Sequence, residues 1–173
     1  MPTNIEIKAR VADPRPLAER VEAIADGPGE TLVQRDTFFR CPDGRLKLRE
    51  LGKGRSELIW YRREDSAGSK RSEYVVTPVA DAESLRALLD RAYGTTQVVE
   101  KTRRLFLVGQ TRVHLDEVEG LGSFMELEVV LRDGQPEAEG HAITADLMRR
   151  LGIAEGDLVE GAYADLLLGR PSR

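Results

Sequence analysis

Glu126 and Glu128 stand two apart in Glu-Leu-Glu-Val (126–129), and His114 and Asp116 repeat that interval earlier in the chain. Side chains on a strand alternate faces with period two, so each pair sets its polar groups side by side. Carboxylates clustered this way can hold Mg²⁺ or Mn²⁺, hard ions that prefer oxygen ligands. Basic residues follow the same interval. Lys8 and Arg10 continue a face begun by Asn4 and Glu6, and Arg45, Lys47 and Arg49 share a second. Tyr61 pairs with Arg63, Lys70 with Ser72 and Tyr74, Lys101 with Arg103, and Arg112 with His114 and Asp116. Arginine neutralises phosphate oxygens through paired donors, and lysine does so as a point charge. So many basic groups exceed the needs of one monophosphate and suit a triphosphate.

The elements that carry these faces can be read from turn and cap residues. Strands are expected at 4–11, 31–40, 45–51, 56–64, 70–78, 97–108, 111–118 and 124–132. Asp13 before Pro14 caps a helix over 14–25, and Asp81 caps another that ends at Gly94. A third helix runs from Pro136 to about Leu151, and a short one covers 158–168. Asp43-Gly44 marks a hairpin. Gly120-Leu121-Gly122 makes a tight connection that brings Asp116 near Glu126. Neighbouring strands are hairpin-connected, so the fold class is α+β: a closed eight-stranded antiparallel β-barrel with helices packed outside.

A half-exposed sheet with a solvated, salt-bridged face is the ordinary reading of any one such strand. Seven strands and three amphipathic helices together favour another. The opposite faces carry Ile5, Ile7, Leu46, Leu48, Leu58, Trp60, Val113, Leu115, Leu127 and Val129, which can receive helices on the outside. The charged faces then turn inward, where pairing or a bound ligand must offset the cost of burial. Trp60 is expected to pack under a helix. His114 is read first as a structural histidine beside Asp116, with base or metal ligand as the sharper role. His141 is read as a surface residue, and Cys41 carries no role.

The chain has 173 residues and a formal net charge of −4, which argues against general nucleic-acid binding. A single cysteine and the lack of a long apolar run suggest a cytoplasmic protein away from membranes. The expected partner is a triphosphate-containing small molecule, with a homodimer as the oligomer to test for.

At these residues the chain resembles the CYTH family, and the resemblance spans nearly its whole length as a single domain over 1–173. The family's Glu-x-Glu-x-Lys strand is matched by Asn4-Ile5-Glu6-Ile7-Lys8, with Asn4 in place of the first acid. Gly44–Glu50, Lys70–Tyr74, Glu100–Arg103 and Tyr163–Leu167 follow in order, and the most specific segment is His114–Glu128. The N-terminal strand and His114–Phe124 are most similar to class IV adenylyl cyclase-type members. The resemblance implies a triphosphate tunnel in which Glu6, Asp116, Glu126 and Glu128 include the ligands of Mg²⁺ or Mn²⁺. It implies that Lys8, Arg45, Lys47, Arg49, Arg63, Lys70, Lys101 and Arg103 line the phosphate path. Arg10 and Tyr61 join this substrate-binding set from their faces. Lys8, Arg63, Lys101 and Arg103 are expected to act in catalysis by holding charge on leaving oxygens. Asn4 brings no charge, which bears on metal affinity and on the number of ions bound. Three functions follow: conversion of ATP to cyclic AMP and pyrophosphate; hydrolysis of inorganic, thiamine or nucleoside triphosphate; and non-catalytic binding of a polyphosphate or nucleotide.

Overall fold

The computed structural model describes residues 1–169. In chain order the elements are β1 (Thr3–Arg10), α1 (Pro14–Ile24), β2 (Glu30–Phe39), β3 (Arg45–Glu50), β4 (Ser56–Arg63), β5 (Lys70–Pro78), α2 (Ala82–Tyr93), β6 (Thr95–Val108), β7 (Thr111–Val118), β8 (Gly122–Val130), α3 (Glu137–Leu151) and α4 (Tyr163–Leu167). The strands close into a barrel in the order β1-β5-β4-β3-β2-β6-β7-β8, with every pairing antiparallel. The expected fold class is therefore the observed one.

The alternation explains how the barrel is dressed. Apolar strand faces point outward and receive the helices. Leu17 and Val21 of α1, with Leu147 and Leu151 of α3, pack on Ile7, Ala9, Phe106, Val113, Met125 and Leu127. Each of these side chains larger than Ala9 contributes about 1.5–3 kcal/mol when fully buried. Leu85 and Leu89 of α2 pack on Phe39 and Leu48. Asp13 and Asp81 cap α1 and α2, accepting bonds from the amides of Arg15 (3.1 Å) and Ser84 (3.0 Å). Gly140 lets α3 lie close on β1, since a Cβ there would come within 2.6 Å of Ile5. Trp60 differs from expectation. It is half-buried against the Gly44 turn, where its indole N–H donates to the Asp43 carbonyl (2.9 Å).

The chain end also departs from the expected helix over 158–168. Residues 155–157 form one 3₁₀ turn, Leu158 and Val159 are extended, and α4 begins only at Tyr163. The reason lies in the barrel seam. β5 pairs with β1 only over Thr3–Glu6, which leaves Lys8 and Ala9 without a strand on that side. Leu158 bridges to Ala9, and the Val159 amide donates to the Lys8 carbonyl (2.9 Å). Gly161, at φ +82°, then turns the chain into the barrel end. Tyr163 and Ala164 pack there on Phe38, Val99, Val118 and Phe124 and close that end. Among the described residues, no helix is long and apolar enough to cross a membrane.

Candidate active site

The charged strand faces line a cavity of about 350 Å³ inside the barrel. Its basic lining is Lys8, Lys47, Arg49, Arg55, Arg63, Lys101, Arg103 and Arg112; its acidic lining is Glu6, Glu30, Asp36, Glu57, Glu126 and Glu128. Basic residues outnumber acidic ones by eight to six, and that bias suits a polyanion.

Deep in the barrel, Asp36 organises the basic wall. Its carboxylate accepts two bonds from Arg49 (2.8 and 2.7 Å) and one from Lys47 (2.9 Å), with Lys101 at 3.5 Å. Burial pushes the Asp36 carboxyl up, but Arg49, Lys47 and Lys101 outweigh it and hold the group well below the usual carboxylate range. Burial and the neighbouring Arg49 lower Lys47 to about 7, against the pull of Asp36. Lys101 is lowered for the same principal reason, burial. Lys47 is therefore easily recharged by an arriving anion. At about pH 7.5, triphosphate binding should take up protons from solution, because anionic oxygens raise Lys47 again. Calorimetry in two buffers of different ionisation enthalpy measures this uptake. It should shrink in Lys47→Met, and an uptake unchanged by that substitution would remove Lys47 from the phosphate path.

A second network joins the barrel wall to the chain end. Arg103 grips Asp116 with two bonds (2.7 and 2.6 Å) and reaches Glu126 (2.9 Å). The Tyr163 hydroxyl donates to Asp116 (2.8 Å). Lys8 lies 3.3 Å from Glu126 and 3.8 Å over the Tyr163 ring, and it donates to the Gly161 carbonyl (3.0 Å). Arg63 donates to Glu6 (2.6 Å) and to the same carbonyl (2.7 Å). Burial brings Lys8 down to about 7, although Glu126 opposes it.

His114, Glu126 and Glu128 bring one ligand atom each to within 4.8 Å of one another. Glu126 and Glu128 both sit below the usual carboxylate range; burial raises them, while Lys8 and Arg103 around the first, and His114 and Arg112 around the second, prevail. Two ionised carboxylates and an imidazole facing one cavity are a fitting donor set for a divalent cation.

A model of the CYTH domain matches residues 2–163. The chain belongs to the CYTH family. Adenylate cyclase CyaB of Aeromonas hydrophila is 31% identical over 145 residues, covering 79% of this chain and 73% of that protein. The PH1012 protein of Pyrococcus horikoshii OT3 superposes with a TM-score of 0.84 at 26% identity, covering 94% and 98% of the two chains. HpAC1 from Hippeastrum, whose described activity is dominantly triphosphatase, shares the fold at a TM-score of 0.68 and 17% identity, covering 96% of each chain. The CYTH barrel and its metal-competent cluster support a general triphosphate-processing role.

Within this CYTH barrel the residues expected at the site separate into groups. Lys8, Lys47, Arg49, Tyr61, Arg63, Lys101 and Arg103 line the cavity, as do Glu6, Glu126 and Glu128. Arg10 is exposed, with its guanidinium 5.0 Å over the Phe124 ring. Arg45 is taken up by Asp165 (2.7 Å) and Asp65 (3.4 Å), and the buried Lys70 donates to the Ser66 carbonyl. These three lie outside the cavity lining. Asp116 stands apart from the metal cluster because Arg103 and Tyr163 occupy both its oxygens. His114, rather than Asp116, faces Glu126 and Glu128. His141 is half-buried, with Nδ1 2.7 Å from the Ser69 hydroxyl. Asp36 and Tyr163 are among the cavity residues that spacing does not reveal as site residues. Asp36 hides in a strand whose inner face mixes Leu32, Gln34, Asp36 and Phe38, which blurs the alternation. Tyr163 arrives from the distant chain end, where strand periodicity has no bearing.

Proposed function

We propose that this protein converts ATP to cyclic AMP and pyrophosphate in its barrel tunnel, with a divalent metal ion. The observation that carries the reading is the mixed lining of the cavity. Tyr163 and Ala162 stop one end. The other mouth sits where β2, β4 and β7 begin and β3, β5, β6 and β8 end, and Arg55 pairs with Glu30 there (3.5 Å). Leu32, Leu51, Ile59, Val76 and Leu105 form an apolar collar that adjoins the cationic wall, with Leu32 opposite Arg103 and Ile59 opposite Lys47. Inorganic triphosphate has no use for an apolar collar, whereas a nucleoside does. A cavity of about 350 Å³ also falls within the usual range for organic ligands.

In this reading the phosphate chain enters first and the nucleoside rests in the collar. The ribose 3′-hydroxyl gives its proton to solvent and its oxygen attacks the α-phosphorus, the bond to pyrophosphate breaks, and the arginines and lysines of the wall hold the charge gathering on the leaving oxygens. A bound divalent cation would polarise the phosphoryl oxygens as a Lewis acid, held by His114, Glu126 and Glu128. The name of the 31% identical relative, an adenylate cyclase, supports the same choice. Hydrolysis is the second reading, favoured by the triphosphatase activity described for HpAC1 on the same fold.

The test is incubation with ATP, inorganic triphosphate and thiamine triphosphate, each with Mg²⁺ or Mn²⁺, followed by product identification. Cyclic AMP and pyrophosphate are expected. Free phosphate instead would move the assignment to hydrolysis, and binding without turnover would leave a triphosphate-binding module. Leu105→Ala should weaken ATP binding about tenfold and leave inorganic triphosphate binding unchanged. Equal losses for both ligands would remove the collar from the argument.

A further inference from the structure

We infer that His114 is a nitrogen ligand of the bound cation and that it makes this site favour Mn²⁺ over Mg²⁺. This rests on the metal reading of the cavity and adds the identity of the ion. The first ground is convergence. Asp116 is closed to an ion, because Arg103 and Tyr163 hold both its oxygens. Glu126 and Glu128 converge on one place, with Arg103 on the first and Arg112 on the second, and the third group that meets them is an imidazole.

The second ground is geometry. His114 Nδ1 points at both carboxylates but stands 3.4 Å from Glu126 and 3.9 Å from Glu128. Both distances exceed a normal hydrogen bond. The ring is only 4% exposed and faces the cavity. A buried nitrogen turned toward two ionised carboxylates, yet closing a good bond with neither, leaves room between them for a cation. The ion chemistry then follows. Mg²⁺ demands near-octahedral oxygen ligands and gives up water reluctantly, whereas an imidazole suits first-row transition ions.

The test uses chelator-treated full-length protein loaded with Mn²⁺ and read by electron spin echo envelope modulation. The chain has two histidines. His141 is held at Ser69, away from the cavity lining, so a histidine coupling at the bound ion reports His114. A ¹⁴N coupling is expected, and it should change when histidine alone is labelled with ¹⁵N. This measurement needs no substitution and stands even if a variant fails to fold. Calorimetric titration should also show Mn²⁺ binding tighter than Mg²⁺. His114→Asn, which offers an oxygen, should cut Mn²⁺ affinity about tenfold or more and leave Mg²⁺ affinity level or higher. Mn²⁺ bound without histidine coupling would overturn the assignment of His114 while sparing the carboxylate site. No binding of either ion would overturn both this inference and the metal reading beneath it.

Discussion

Glu126→Gln should lower metal-dependent turnover of ATP by about a thousandfold while the barrel stays folded. Glu126 is the carboxylate on which the site converges: Lys8 at 3.3 Å, Arg103 at 2.9 Å and His114 at 3.4 Å all meet it. The substitution removes the charge a cation needs and keeps the shape and an acceptor oxygen for Arg103. The fold should tolerate it because Lys8 already sits at about 7. Without the opposing pull of Glu126 that value drops further, so Lys8 sheds its proton instead of remaining as an unpaired buried charge. Arg103 keeps its two bonds to Asp116. Product formation at saturating Mn²⁺, alongside a thermal melt, measures both effects. Full turnover in the variant would take Glu126 out of the metal set, and a collapsed melt would make it a structural residue first.

Asp36→Asn should have the largest effect on stability, a loss of about 3–5 kcal/mol. Asp36 is 1% exposed and is the shared counter-ion of Lys47, Arg49 and Lys101. Its loss leaves the buried Arg49 cation without its counter-ion and pushes Lys47, already at about 7, to shed its proton. For a chain of this size the melting temperature should fall on the order of 10 °C. Saturating triphosphate should restore much of that loss, because it supplies the missing negative charge to the same three side chains. A melt unchanged without ligand would show that solvent already screens the cluster. The pH dependence follows from the depressed carboxyl. The unfolded chain binds the Asp36 proton more readily than the folded one. The stabilisation is therefore complete above the ordinary aspartate value, about pH 4, and is lost only as acid approaches the lower folded value.

The two variants separate the functions of the buried charges. Glu126 faces a place for a cation, while Asp36 holds the place of an anion. Only the second was hidden from periodicity. Along β1, β3, β7 and β8, alternating apolar and charged residues marked one face of each strand, and the helices' need for an apolar seat turned those faces inward. Along β2, Leu32 and Phe38 share the inner face with Gln34 and Asp36, while Arg35 points outward. No clean alternation remains there to read.

Spacing also placed His114 and Asp116 on one face, and it could not say which would meet the glutamates. That was decided by cross-strand register and by a third strand. His114 lies opposite Glu126 across β7 and β8, while Asp116 lies opposite Arg103 across β6 and β7 and is claimed by it. Arg10, Arg45 and Lys70 obey the same periodicity. Arg10 ends exposed over Phe124, and Arg45 and Lys70 are held by partners outside the cavity.

Local chain chemistry alone therefore determined the strands, their two faces, the caps of α1 and α2, and a tunnel suited to a polyanion and a metal, because each depends on neighbours a few residues away. Tertiary structure decided which charges remain available to a ligand. A buried charge takes the nearest opposite charge regardless of sequence distance, and so Arg103 locks Asp116, Arg63 locks Glu6, and Gly161 and Tyr163 close the barrel from the far end of the chain.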